Sequence, residues 1–318
     1  GAIVSLFWHK FDDVVTIITE ANGILVAAGV GLYVGANIFC AARFQSVLRM
    51  QQIRLPILKV WRLNYIGYFF NLFMPSSIGG DIGKAYYIYK LSDKKIPSFI
   101  SVFIDRIIGL FSVCLLCCIS VLIIYKKIDN AVIPLVITVF SLSVITGIIF
   151  FTNDSCARFL KSLHIPFIPH AFAAGAKKAY ILIHECKNHK RLAVRALFFS
   201  VLFQLCSITA IYILGQALAI ELSLITYFSL VPLIYVFSML PSINGLGVRE
   251  GSMIYFFSFF ISSEQAIALS ILFDMGVFSC SFVGLFCYIF YKHISYKQLN
   301  QEHFTADEIT IEKGGSSA

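Results

Sequence analysis

Long apolar runs, separated by short basic connections, recur along this chain and restrict its fold more than any other feature. A bilayer core needs about 20 mainly apolar residues per spanning helix. Residues 14 to 42, 97 to 125, 131 to 151, 196 to 220 and 265 to 291 each supply that length. In hydrocarbon every backbone N–H and C=O must be satisfied internally, so these runs are expected to be helices. Of 318 residues, 58% are hydrophobic and 13% charged, with a mean hydropathy of +0.84. A soluble domain carries roughly a quarter charged residues, so water cannot solvate this surface. The predicted fold is all-α: a polytopic helical membrane protein, one domain over residues 1 to 292 and a short cytoplasmic tail over 293 to 318. Residues 2 to 8 are too short to span and read as a helix remnant or an interfacial segment, and 314 to 318 read as an appended tail.

The net charge of +8 lies beside the apolar segments and on no soluble module, which argues for topology signals and lipid contacts and against nucleic acid. Arg43, Arg49, Arg54, Lys59 and Arg62 follow the first run and mark its end as cytoplasmic. Residues 63 to 80 then run into Pro75-Ser76-Ser77-Ile78-Gly79-Gly80-Asp81 and a second basic set, Lys84, Lys90, Lys94 and Lys95. A segment with two cytoplasmic flanks must re-enter, and the Pro and Gly residues supply its turn. Residues 158 to 195 hold eight basic residues and form the longest cytoplasmic connection, with a surface-lying amphipathic helix expected over 171 to 190. Residues 222 to 240 enter from the opposite side and meet a second break at Pro241-Ser242-Ile243-Asn244-Gly245-Leu246-Gly247-Val248-Arg249-Glu250-Gly251. The last run ends at Lys292 and Lys297, which places the C-terminus in the cytoplasm.

The two breaks overlay, Pro75-Ser76 on Pro241-Ser242 and Gly79 on Gly245, with Asp81 and Lys84 near Arg249 and Glu250. Paired interrupted segments of inverse topology are the pattern of an inverted repeat with a transport site at the midplane. A charge in the bilayer core costs roughly 2.5 to 3.5 kcal/mol, so intramembrane charges face a cavity or one another. Asp81, Lys84, Asp105, Arg106, Arg249, Glu250 and Asp274 are the candidates, with Asp105 and Arg106 readable as a neutral clamp. Glycine-rich helix starts would offer backbone N–H groups to a phosphate, and Lys84 and Arg249 would add full charge.

Nucleophile elbows, phosphate loops and His-Glu-x-x-His pairs do not occur. Cys114, Cys117 and Cys118 resemble half a zinc site but sit in an apolar helix without a second pair, and His184, Cys186 and His189 lie among lysines. No metal or cofactor is expected.

Three stretches carry a resemblance: Asn71-Leu72-Phe73-Met74-Pro75-Ser76-Ser77-Ile78-Gly79-Gly80-Asp81, Asp105-Arg106-Ile107-Ile108-Gly109 and Leu240-Pro241 through Glu250-Gly251. In order and spacing they resemble the lysylphosphatidylglycerol synthase transmembrane-region family over about residues 10 to 292. The resemblance implies a flippase-like protein, of a family found alone, fused to a cytoplasmic aminoacyltransferase, or beside glycosyltransferases of lipid-linked glycans. This chain is similar to the stand-alone kind. It departs from the pattern in its shortened first helix and in Asp274, where a basic residue is expected.

The expected function is translocation of an anionic phospholipid or polyprenyl-linked headgroup across the inner membrane, through a path lined by Asp81, Lys84, Arg249, Glu250, Asn244, Ser76 and Ser242. Pro75, Gly79, Gly80, Pro241, Gly245 and Gly247 would form the breaks. The alternative is a membrane enzyme, or an accessory subunit of a partner transferase, acting on a lipid with Asp81 and Glu250 as its chemical groups.

Overall fold

The computed structural model describes residues 12–73, 79–124, 142, 189–238 and 247–314. Among them nine helices and no strand occur. They are α1 (residues 12–19), α2 (Gly23–Met50), α3 (Ile57–Phe73), α4 (Gly79–Ser92), α5 (Lys95–Ile124), α6 (Lys190–Ala217), α7 (Leu224–Phe237), α8 (Val248–Phe257) and α9 (Ser263–Gly314). Four helices among the described residues, α2, α5, α6 and α9, are long and apolar enough to cross a membrane. The expected crossing over 131 to 151 and the surface helix over 171 to 190 lie almost wholly outside the described residues.

The first span is shifted from its predicted place over 14 to 42. The chain breaks at residues 20–22, where the Asn22 side chain accepts hydrogen bonds from the N–H groups of Ile24 and Leu25 at 3.0 and 3.3 Å. Such a side-chain cap satisfies donors that a helix start leaves open. The helix then runs past Arg43 and Arg49 to Met50, because Arg43 is neutralised inside the bundle and does not mark a loop.

Helices α2 and α6 run antiparallel. The start of α2 meets the end of α6, where Asn22 N–H donates to the Ala217 carbonyl at 2.9 Å. Its far half meets the start of α6, where Phe39 stacks on Phe199 and Arg43 donates to Ser200 Oγ at 3.1 Å. Around this pair the contacts alternate: α3 packs on α9 and α7 on α5, while α4 lies between α3 and α5 and α8 between α7 and α9. The four shorter helices α3, α4, α7 and α8 hold 17, 14, 14 and 10 residues, each below the spanning length of about 20.

Burial sorts the side chains as a bilayer requires. Tyr65, Tyr227, Phe256 and Phe257 are fully enclosed, while Ile24, Phe198, Phe282, Phe286 and Phe290 stand on the outside. Exposed aromatic and aliphatic side chains on spanning helices meet lipid and incur no penalty there. At the crossing of α3 and α4, Gly80 is required by space, since a Cβ would collide with the Gly67 carbonyl and the Asn71 side chain.

Candidate functional site

A cavity of about 310 Å³ lies between α2, α3, α4, α5 and α6. Its charged walls are Arg43 from α2, Asp81 and Lys84 from α4, and Asp105 and Arg106 from α5. Arg43 grips Asp105 through two parallel bonds, Nε to Oδ1 at 2.8 Å and Nη2 to Oδ2 at 3.0 Å, and its third nitrogen reaches Ser200. Ser200 in turn bonds Ser112 at 2.7 Å. Both charged side chains are close to fully buried, and a fork-to-fork pair of this kind is what lets an arginine remain inside an apolar bundle. Arg106 bonds Asp81 at 2.5 Å, yet its side chain is 50% exposed.

The adjacent residues Asp105 and Arg106 thus reach partners on different helices, Arg43 on α2 and Asp81 on α4. Successive side chains on a helix diverge by about 100°, so each takes its partner from a different helix. Arg43, counted in the sequence as a topology charge, belongs to the site. A lone arginine within an apolar run, matched by a lone aspartate in the next spanning run, is the signal that points to it.

Lys84 has no carboxylate partner among the described residues. Its ammonium lies 4.5 Å from the centre of the Phe44 ring, an attraction of about 0.5 to 2 kcal/mol that leaves its charge available. Among the described residues three cations, Arg43, Lys84 and Arg106, thus face two carboxylates, Asp81 and Asp105, which gives the cavity wall a net charge of +1. Asn64 and Gln204 add buried amides whose oxygens have no donor among the described residues.

Arg249, Glu250 and Asp274 are not among the residues lining this cavity. They form a separate cluster, in which Arg249 Nη2 bonds Glu250 at 3.0 Å and Asp274 at 2.5 Å, and the guanidinium lies 5.4 Å from the Phe273 ring. Arg249 is 9% exposed. Two carboxylates against one guanidinium give this cluster a net charge of −1. The residues expected to line one path thus occupy two places.

The two places share a layout. Asp81 and Arg106 are 25 residues apart, and so are Arg249 and Asp274. Each first member sits in the opening turn of a short helix, and each second member is the twelfth residue of the long helix that follows. The second pair repeats the first with the charges exchanged.

Neither glycine-rich helix start has the open donor expected there at Gly80 or Gly247. The Gly80 N–H donates to Asn71 Oδ1 at 2.8 Å, and the Gly247 N–H donates to the Glu250 carboxylate. Gly247 has φ +85°, a left-handed conformation that glycine adopts without strain, and it stands immediately before α8. Gly79 and Gly80 are buried within the first turn of α4. Pro75, Ser76, Pro241, Ser242, Asn244 and Gly245 lie outside the described residues. Cys114 and Cys117 are buried in α5, and no cluster of metal-ligating residues occurs among the described residues.

Long apolar helices packed around a charged cavity define a multi-pass helical membrane protein with a polar site inside the bundle. The family profile of the lysylphosphatidylglycerol synthase transmembrane region matches residues 1–284, and the chain belongs to that family. Comparison with curated proteins gives no match.

Proposed function

We propose that this protein translocates a lipid with an anionic headgroup across the inner membrane, the headgroup crossing through the cavity while the acyl chains stay in the bilayer. The observation that carries the reading is Lys84: a cation in a net-positive cavity of an apolar bundle, set against an aromatic face and without a carboxylate partner among the described residues. A site with one unmatched positive charge suits one phosphate. Arg106, half exposed and paired with Asp81, would exchange its carboxylate for that phosphate. Membership of a family named for lysylphosphatidylglycerol synthesis favours a phospholipid, or another lipid phosphate such as a polyprenyl-linked one.

In this reading α3–α4 and α7–α8 are re-entrant pairs and the two halves form an inverted repeat, with a cytoplasmic C-terminus. The antiparallel α2 and α6, the exchanged packing of α3 on α9 and α7 on α5, and the recurrence of the ion pair support it. Arg249, Glu250 and Asp274 would stand at the other end of the path.

Native mass spectrometry of the purified protein with its co-purified lipids tests this. An anionic lipid retained by the unsubstituted protein and lost from Lys84→Gln, at equal folded yield, is the expected result. The same lipids in the same amounts on both proteins would contradict it.

A further inference from the structure

Asn64 on α3 and Gln204 on α6 line the cavity and are 5% and 7% exposed. Asn64 Oδ1 and Gln204 Oε1 are buried and have no donor among the described residues. Buried amide oxygens without a partner are rare in folded proteins, and each calls for a donor from water or a ligand. Asn71, also in the cavity wall, shows the contrast, since its oxygen already holds the Gly80 N–H. The orphan pair is therefore not a general property of this cavity's amides.

The chemistry of the missing donor is constrained by its surroundings. A bare phosphate diester offers only acceptors and cannot serve these oxygens. An ammonium group offers donors but enters a cavity with Arg43, Lys84 and Arg106 against two carboxylates. A hydroxyl is a neutral donor and can accept from the neighbouring cations as well.

We propose that Asn64 and Gln204 are specificity-determining residues that select a headgroup bearing hydroxyl groups beside its phosphate. The inference rests on the anionic-headgroup reading above and adds to it the part of the ligand that is not charged. Sites that hydrogen-bond a ligand hydroxyl discriminate against analogues that lack it, because their own polar groups are then left unpaired.

The test is equilibrium binding of short-chain lipids to the purified full chain. Phosphatidylglycerol is compared with phosphatidylmethanol, which has the same charge and no headgroup hydroxyl, and with zwitterionic phosphatidylcholine. The glycerol lipid is expected to bind roughly 10- to 30-fold more tightly than phosphatidylmethanol, the worth of two added hydrogen bonds. Asn64→Leu and Gln204→Leu should each reduce that advantage about fivefold, read as the ratio of the two affinities within the same variant. Their melting temperatures without ligand should be no lower than that of the parent, whereas loss of a merely structural amide would lower them. Equal binding of the two anionic lipids by the unsubstituted protein overturns the proposal and leaves the anion reading intact. Failure of both to exceed phosphatidylcholine overturns the anion reading itself. Glycerophosphoglycerol, the headgroup without tails, separates sources: weak competition supports a lipid, and competition equal to the lipid's overturns the lipid assignment in favour of a soluble phosphodiester.

Discussion

The Asp81–Arg106 and Arg249–Asp274 pairs occupy corresponding places in the two halves of the chain and differ in almost everything else. In the first, the carboxylate is on the short helix, the arginine is half exposed, and the pair borders a cavity. In the second, the arginine is on the short helix, both side chains are mostly enclosed, and a second carboxylate, Glu250, shares the guanidinium. Exposed pairs contribute about 0 to 1 kcal/mol, while breaking an enclosed one costs roughly 3 to 5 kcal/mol. Under the proposed function the same position is an exchangeable contact in one half and a fixed strut in the other.

The largest effects are expected where a buried arginine is removed. Arg249→Ala strands two carboxylates and Arg43→Ala strands Asp105, and each should lower stability by about 3 to 5 kcal/mol, visible as a large drop in thermal stability in detergent. A loss no greater than that of Arg106→Ala would remove the distinction between the halves.

Gly80→Ala should come next, at about 1 to 3 kcal/mol, because α4 must move away from the Gly67 carbonyl. The same melting measurement applies, and an unchanged value would mean that α3 and α4 separate freely.

Exchanging charges within each pair separates the two sites further. Asp81→Arg removes the carboxylate that competes for Arg106 and should strengthen anionic-lipid binding, and adding Arg106→Asp should return it to the parent level, with stability within about 1 kcal/mol of the parent throughout. The corresponding exchange, Arg249→Asp with Asp274→Arg, should not recover, since it places a new carboxylate beside Glu250. Recovery of thermal stability in the second exchange would show that Glu250 is no part of the strut. Lys84→Gln should cost no more than about 1 kcal/mol of stability, since it loses the Phe44 ring contact but breaks no ion pair among the described residues.

Much of this was legible in the sequence. Length and hydropathy locate the long helix α5 to within two residues and α6 to within six, because twenty apolar residues in a row have one satisfactory backbone conformation in lipid. Asp81, Lys84, Asp105, Arg106 and Asp274 stand out because charge is scarce within apolar runs. What the chain order hides is pairing. Asp105 and Arg106 are neighbours in sequence but turn to different helices, and Arg43 reads as a loop residue until Asp105 is placed against it. Asn64 and Gln204 carry no signal, since a neutral amide in an apolar run becomes informative only when its burial and missing donor are known.

Passage of an anionic headgroup through the cavity beside Lys84 is measured as lipid movement in proteoliposomes. A fluorescent phosphatidylglycerol is followed by quenching of the outer leaflet, with the unsubstituted protein and Lys84→Gln reconstituted at equal density. Movement that is fast with the parent and reduced at least about tenfold with Lys84→Gln, the worth of roughly 1.4 kcal/mol at one charge-assisted contact, is the predicted result. Equal rates for the two proteins, with both correctly folded, would contradict the account.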